Sequence, residues 1–249
     1  MSQEKSENQP IYRYEVKKML WDTNFFGYSV GSIDLRQYKD IDVSRLKDVL
    51  IKSGTKVCYC YSESTNQVIQ DRFKEYGIEI ADRKVTFIKS ISADETTCSP
   101  EIINVLGSEM TPKILEIALQ SGVYSRFKRD PEFHNNEYEK LYTEWITKSM
   151  SGDIALAVLV FYIDGDEAGL ITVGDKNGIA DIGLLAVDQN YRGKGIGKKL
   201  VKNAEVFAKN IGFDKIQVVS QLDNQIACSL YEKCGFSVLK TENIYHVWS

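Results

Sequence analysis

Runs of apolar and polar positions divide the chain into strand-helix units, and the sharpest of these spans residues 182–236. It opens with Ile182-Gly-Leu-Leu-Ala-Val187, an apolar run too short for a helix and read as a buried strand. The turn Tyr191-Arg-Gly-Lys-Gly-Ile-Gly-Lys-Lys199 follows. Beyond it Leu200, Val201, Ala204, Phe207, Ala208 and Ile211 recur at helical spacing, with Gly212 as a stop. A strand over 216–220 and a helix starting at Asn224 complete the unit.

Upstream, the pattern predicts a strand over 101–106 and a helix capped by Thr111 with Pro112 in its first position. A mixed segment, 121–133, precedes a helix with Tyr138, Leu141, Tyr142, Trp145 and Ile146 on one side. Strands over 154–163, 167–174 and 179–187 are joined at Asp164-Gly165 and Asn177-Gly178, pairs that accept the positive φ angles of tight hairpins. A last strand spans 237–248.

Nearer the N-terminus, a helix over 42–53 carries Val43, Leu46, Val49 and Leu50 inward and is closed by Gly54. With strands over 56–61 and 84–91 and a helix over 66–76, it makes a small α/β unit. Residues 19–35, rich in aromatic and β-branched types, read as a turn leading into a strand, with Trp21, Phe25 and Phe26 in the core. Residues 1–10 read as a flexible tail. The polar run 92–100 is taken as the boundary between a small domain over 11–98 and a larger one over 99–249.

These units resemble one another. Ser62 through Gly77 can be laid on Ser220 through Gly235 without a gap, placing Asn66 on Asn224, Phe73 on Tyr231 and Gly77 on Gly235. Gly54 falls on Gly212 at the same offset. The N-terminal unit therefore reads as a decayed half-copy of the C-terminal fold, against the competing reading of coincidental strand-helix-strand similarity.

Composition narrows the partners. The 249 residues are 43% hydrophobic and 11% aromatic, enough for a packed core. A net charge of −4 argues against nucleic acid or an anionic membrane as the main partner, and no stretch approaches the ~20 apolar residues of a membrane span. Five cysteines without framework spacing point to a reducing compartment, the cytoplasm. Cys58 and Cys60 read as small buried hydrophobes. With two histidines and no Cys-x-x-Cys, no metal site is expected; His134 and His246 read as surface or packing residues.

The candidate chemistry is concentrated in the glycine turn. Gly193, Gly195 and Gly197 let the backbone turn tightly and present successive N–H groups. Arg192, Lys194, Lys198 and Lys199 stand at a positive helix end, each disfavoured there by roughly 0.3–1 kcal/mol. A bound polyanion would reverse that sign, so the turn reads as a phosphate cradle, with an ordinary solvated lysine-rich turn as the alternative. Two nucleotide motifs fail: Lys199 replaces the P-loop hydroxyl after Gly197-Lys198, and Lys198 stands where the third glycine of a dinucleotide fingerprint belongs.

What remains, Arg192-x-x-Gly195-x-Gly197 after an apolar strand, resembles the acyl-CoA signature of the GNAT superfamily of N-acetyltransferases. The block Asn224-x-x-Ala227-x-x-x-Tyr231-x-x-x-Gly235-Phe236 is similar to that family's second motif. The resemblance implies an α/β (α+β) fold with a mixed, largely antiparallel sheet, and acetyl-CoA or another acyl-CoA as co-substrate. It implies that the backbone of Arg192, Gly193, Lys194, Gly195, Ile196, Gly197 and Lys198 holds the diphosphate. It further implies that Leu185, Ala186 and Val187 splay from the next strand to meet the pantetheine arm, and that Asn224 touches it while capping a helix.

Tyr231 matches the family's tyrosine and is the expected general acid, since a phenol near pKa 10 stays protonated above a thiol near about 8.5. Its alternative is a packing role. Asp181 stands close to where some members place a basic carboxylate, though its position reads first as a solvated strand start.

Trp21-Asp-x-x-Phe25-Phe26-Gly27 and Ser125-Arg126-Phe127 with Asp130-Pro131-x-Phe133 resemble the TDP-fucosamine acetyltransferase group. That resemblance implies a nucleotide-linked amino-dideoxyhexose as acceptor and a homodimer. In physical terms Arg126 and Arg129 can reach phosphates, Tyr124 and Phe127 can face a ring, and Asp130 can accept from hydroxyls or the amine. An arginine-rich loop between helices is the plain alternative. So are an enzyme for another small amine or a protein N-terminus, and a non-catalytic acyl-CoA module.

Overall fold

The computed structural model describes residues 13–92 and 99–249. The expected tail and most of the run 92–100 lie outside these residues. In chain order the elements are β1 (Lys17–Lys18), α1 (Leu20–Phe26), β2 (Val30–Asp34), α2 (Val43–Ser53), β3 (Val57–Glu63), α3 (Gln67–Glu75) and β4 (Ile80–Ser90). Then come β5 (Ile102–Asn104), α4 (Pro112–Ser121), α5 (Arg126–Arg129), α6 (Glu137–Met150), β6 (Ala157–Ile163), β7 (Asp166–Lys176) and β8 (Ile179–Val187). The rest are α7 (Ile196–Asn210), β9 (Lys215–Gln221), α8 (Gln225–Lys233) and β10 (Ser237–Trp248).

Two compact units form. The first comprises residues up to Ala81 with Glu242–Ser249, the second Asp82–Thr241. They divide elsewhere than at residue 98, for a reason visible in the strand pairing. β4 enters the second unit as the antiparallel neighbour of β9, whereas the last residues of β10 join the first as the antiparallel neighbour of β3.

In the first unit the strand order is β1-β2-β3-β10, with β2 and β3 parallel over five residue pairs, Val30↔Val57 to Asp34↔Tyr61. Val43, Leu46 and Leu50 of α2 and Ile69 and Phe73 of α3 are buried with Ile33, Cys58, Cys60 and Tyr245 in one core. Asp42 caps α2 by accepting from Arg45 N at 3.0 Å, and Asn66 caps α3 by accepting from Ile69 N at 3.2 Å. The segment expected as a turn before a strand holds the helix α1 instead, closed by Gly27 with φ of 78°. None of its residues is buried. Trp21 is 43% exposed and stacks on Phe25 at 4.8 Å, so these aromatics pack on one another and do not fill a core. His246 is buried against Tyr59, and His134 is exposed.

The second unit has the order β4-β9-β8-β7-β6-β5, with only the β8–β9 pair parallel. Asp164-Gly165 and Asn177-Gly178 all carry positive φ, as two-residue hairpins require. Leu200, Val201, Ala204 and Ala208 of α7 join Val85, Phe87, Val218 and Tyr231 in the core on one sheet face. Ile211, expected on that stripe, is exposed because α7 has already ended at Asn210.

The two units share local detail. Glu63 pairs with Glu242 and Val57 with Trp248; Gln221 pairs with Lys84 and Lys215 with Ser90. Adding to β3, and subtracting from β10, the offset that lays Ser62 on Ser220 converts the first ladder into the second. Asn66 and Asn224 cap their helices through the same atom, and Gly77 and Gly235 both have positive φ. This is what the half-copy reading requires.

Candidate active site

The turn after β8 is rigid at its base and open at its tip. Asp188, fully buried, accepts from Lys113 Nζ at 2.6 Å and from Asn190 N at 2.9 Å. The Lys113 ammonium holds the Asp188 carboxyl below the usual carboxylate range. Arg192 donates from Nε to Val187 O at 3.1 Å and from Nη2 to Gln120 Oε1 at 3.1 Å. Its guanidinium therefore braces the turn. Gly193 and Gly195 have φ of 80° and 75°, and a Cβ at either would meet nothing within 4 Å. Gly195 begins α7 with no side-chain cap, which leaves the first helical N–H groups of Ile196, Gly197 and Lys198 free of any side-chain acceptor there. At Gly197 a Cβ would lie 3.2 Å from Leu230 and 3.8 Å from Val187, so glycine allows the helix start to approach α8 and the end of β8. Lys194 lies over the Tyr191 ring, Lys198 is exposed, and Lys199 pairs with Glu101 at 3.2 Å.

Beside this cradle two strands part. β8 and β9 pair only at Ala180↔Ile216, Asp181↔Gln217 and Ile182↔Val218. Past Ile182, β8 keeps its β7 partners, Leu185, Ala186 and Val187 facing Ile171, Leu170 and Gly169. Its other edge has no ladder among the described residues. The divergence starts at a bulge, where Gly183 and Leu184 are accommodated opposite Thr172 and the Leu184 N–H donates to the buried Thr172 Oγ1 at 2.9 Å. Such a bulge bends its strand and raises its twist.

Tyr231 lies on α8, between Phe87 at 5.7 Å and Phe236 at 5.8 Å. The ring is buried, and its hydroxyl makes no hydrogen bond among the described residues. Burial pushes the phenol's pKa well above its ordinary value, so it stays protonated. Asn224 Oδ1 accepts from Ala227 N at 3.1 Å at the start of the same helix.

On the opposite sheet face Asp181 is the third residue of β8. It is half-buried and accepts from Gln217 Nε2 at 2.8 Å, which differs from a solvated strand start. Burial raises its pKa. It lines a cleft of about 240 Å³ with Trp145, Ser149, Thr172, Gly183 and Leu184. This cleft meets the bulge.

Together these elements bring an uncapped helix start, a parted parallel pair and a buried protonated phenol into one unit. The model of the acetyltransferase (GNAT) family matches residues 111–236, half of the chain. The chain belongs to that family. Among its relatives, the spore coat polysaccharide biosynthesis protein SpsD of Bacillus subtilis is 25% identical over 138 residues, 55% of this chain and 47% of that protein. The chain thus spans about half the length of that relative. A functionally unknown conserved protein from Staphylococcus epidermidis superposes with a TM-score of 0.65 at 12% identity, over 97% of this chain and 94% of its own. A GCN5-related N-acetyltransferase from Sphaerobacter thermophilus gives 0.55 at 13% identity, over 88% and 73%. With the family match, the second likeness shows the GNAT fold.

The segment predicted to meet the acceptor packs more tightly than a loop. Arg126–Arg129 forms the single turn α5, and Phe127 points inward, buried against Phe133 at 5.2 Å. That orientation takes its ring away from solvent. Arg126 is half-buried with its guanidinium 4.6 Å above the Phe127 ring, and Arg129 is paired with Asp223. Tyr124 is half-buried, and Asp130 accepts from Glu132 N at 3.0 Å. Asp82, at the start of β4, was not singled out by sequence reasoning, yet it is buried, with the charge of Arg126 acting on it. No helix among the described residues is long and apolar enough to cross a membrane.

Proposed function

We propose that this GNAT chain transfers an acyl group, most simply acetyl, from acyl-CoA to the amino group of a nucleotide-linked amino-dideoxyhexose. The observation that carries the transfer reading is the loss of β8–β9 pairing after Ile182↔Val218, directly before the open glycine turn. Residues 193–198 would hold the diphosphate through backbone N–H groups, and the unpaired edge of 183–187 would hold the pantetheine arm. Bound there, acyl-CoA supplies an activated thioester. A strand N–H beside the thioester would stabilise negative charge on the carbonyl oxygen. Asp181, hydrogen-bonded to Gln217 on the acceptor face, would take the proton lost by the amine. Tyr231 would return a proton to the departing sulfur from the other face.

The sugar-nucleotide acceptor is supported by Arg126 on the acceptor face, by the motifs around residues 21–27 and 125–133, and by the likeness to a polysaccharide biosynthesis protein. Free thiols at Cys58, Cys60, Cys228 and Cys234 support a cytoplasmic setting. The homodimer belongs to the same reading and is read by sedimentation. Incubating the protein with acetyl-CoA and a panel of TDP-amino sugars, amino acids and peptides, while following free thiol, tests the whole. Thiol release with TDP-amino sugars alone is expected. Release with peptides or amino acids alone would reject this acceptor, and tight CoA binding without release would reject catalysis.

A further inference from the structure

One carboxylate on the acceptor face has no assigned work. Asp82 is 8% exposed, and its Oδ1 has no hydrogen-bond partner among the described residues. It lies just past the end of the β4–β9 ladder, whose last pair is Lys84↔Gln221, with Leu222 N donating to Arg83 O at 2.8 Å. Along β4 alternate residues face opposite ways. Val85 and Phe87 enter the core with Tyr231, so Asp82 and Lys84 share the other face with Gln217 and Gln221, the face of Asp181.

The groups gathered around Asp82 are polar and come from distant parts of the chain. The Gln221 amide stands beside its carboxylate, and the charges of Arg126, Lys84 and Asp223 act on it. Ser125 Oγ, also buried, approaches the Tyr142 phenol without completing a hydrogen bond. An unsatisfied buried acceptor normally costs stability, and sites that keep one commonly do so for a ligand. A second cation next to Arg126 and Lys84 would be repelled. A neutral O–H or N–H satisfies the Asp82 oxygen, and an anionic oxygen beside it meets the positive charge of Arg126.

We infer that Asp82 and Arg126 form an acceptor subsite for a hydroxyl or N–H donor lying beside a phosphate oxygen, the pattern of a glycosyl phosphate. This rests on the acyl-transfer reading and extends it. Gln217, beside Asp181, and Gln221, beside Asp82, lie four residues apart on β9, or roughly 13 Å at strand rise. An acceptor that offers its amine to Asp181 and also reaches Asp82 must extend well beyond the amine.

The test uses the full chain with Asp82→Ala, Asp82→Asn and Arg126→Met. Steady-state kinetics are run with an amino-sugar nucleotide and with the same amino sugar lacking phosphate, and acetyl-CoA affinity is measured by calorimetry. Asp82→Ala is expected to raise the nucleotide-sugar KM about 10- to 100-fold, the loss of one hydrogen bond to a charged group. Asp82→Asn, which keeps volume and one acceptor oxygen, should raise it less. Both should leave kcat within a few-fold and acetyl-CoA affinity unchanged. Arg126→Met should raise KM for the phosphorylated acceptor only. Unchanged acceptor KM in both Asp82 variants overturns the subsite. If the wild type acylates other amines but no amino-sugar nucleotide, the acceptor reading fails; the subsite is then judged on KM for the preferred amine, and an unchanged value overturns it as well. A wild type that acylates nothing overturns both.

Discussion

Helices α2 and α7 each follow a strand and lead into its parallel neighbour, yet their first turns are built for opposite purposes. At α2 the Asp42 carboxylate fills the helix start by accepting from Arg45 N, while at α7 Gly195 supplies no side chain and lysines surround bare backbone. The adjoining strands differ in the same sense. β2 and β3 stay paired over five positions, whereas β8 and β9 part after three. The following helices carry Phe73, stacked on Tyr245 at 4.2 Å, and Tyr231, whose hydroxyl has no hydrogen bond among the described residues. One strand-helix-strand plan thus serves as a closed core in one unit and as a candidate acyl-CoA site in the other. Three local features separate them: a helix cap, a bulge and a phenolic oxygen.

Making the second unit resemble the first should abolish activity in steps. Tyr231→Phe, which copies Phe73, is expected to lower kcat by roughly 10²–10⁴-fold with little change in acetyl-CoA affinity or melting temperature. Unchanged kcat would leave Tyr231 a packing residue. Gly195→Asp copies the acidic helix start of α2 and also strains a φ of 75°. It should weaken acetyl-CoA binding about 10- to 100-fold by calorimetry, while Asp42→Gly alters stability alone.

Asp82 gives a pH test that separates the acceptor face from the rest. Burial pushes its carboxyl up to about 6, Arg126 and Lys84 opposing, with Asp223 and Gln221 also facing it. A raised carboxyl favours the folded state most fully below the ordinary carboxylate pKa of about 4, and that benefit is lost as pH rises through about 6. Relative to Asp82→Asn, the wild type should therefore lose up to about 3 kcal/mol between pH 4 and 7, measured by urea unfolding at several pH values. A parallel pH dependence in the two proteins would contradict the burial of an ionisable group there. The smallest effect concerns the caps. Asn66→Ala and Asn224→Ala should each cost about 1 kcal/mol, and only the second should also weaken acetyl-CoA binding.

Much of this was legible from residue patterns because the signals are local. Pro112 after Thr111, the Asp-Gly and Asn-Gly hairpins, and the apolar stripe of α7 as far as Ala208 each depend on neighbours within a turn or two, and each appears where expected. Helix α1 was hidden because Trp21, Phe25 and Phe26 favour strands intrinsically, and here they stack on one another along a short helix. The parting of β8 from β9 was implied by family likeness only. Its cause, the Thr172 hydroxyl holding the Leu184 N–H, joins residues on different strands. Asp82 was invisible for the same reason: the groups that act on it, Arg126, Gln221 and Tyr142 among them, come from α5, β9 and α6, and a lone aspartate at a strand start carries no mark of that.

The ladder between β3 and β10 has a consequence for how the chain acquires its structure. It joins Val57 to Trp248, so β3 lacks its antiparallel neighbour until residue 248 has been synthesised. Closing so long a loop is slow, and meanwhile β3 presents unpaired backbone and apolar side chains to its surroundings. A chain stopped before Glu242 would keep every residue of the glycine turn and α8, yet it would be prone to add foreign strands along β3. Soluble yield, more than catalysis, is where the loss of those last residues would first be felt.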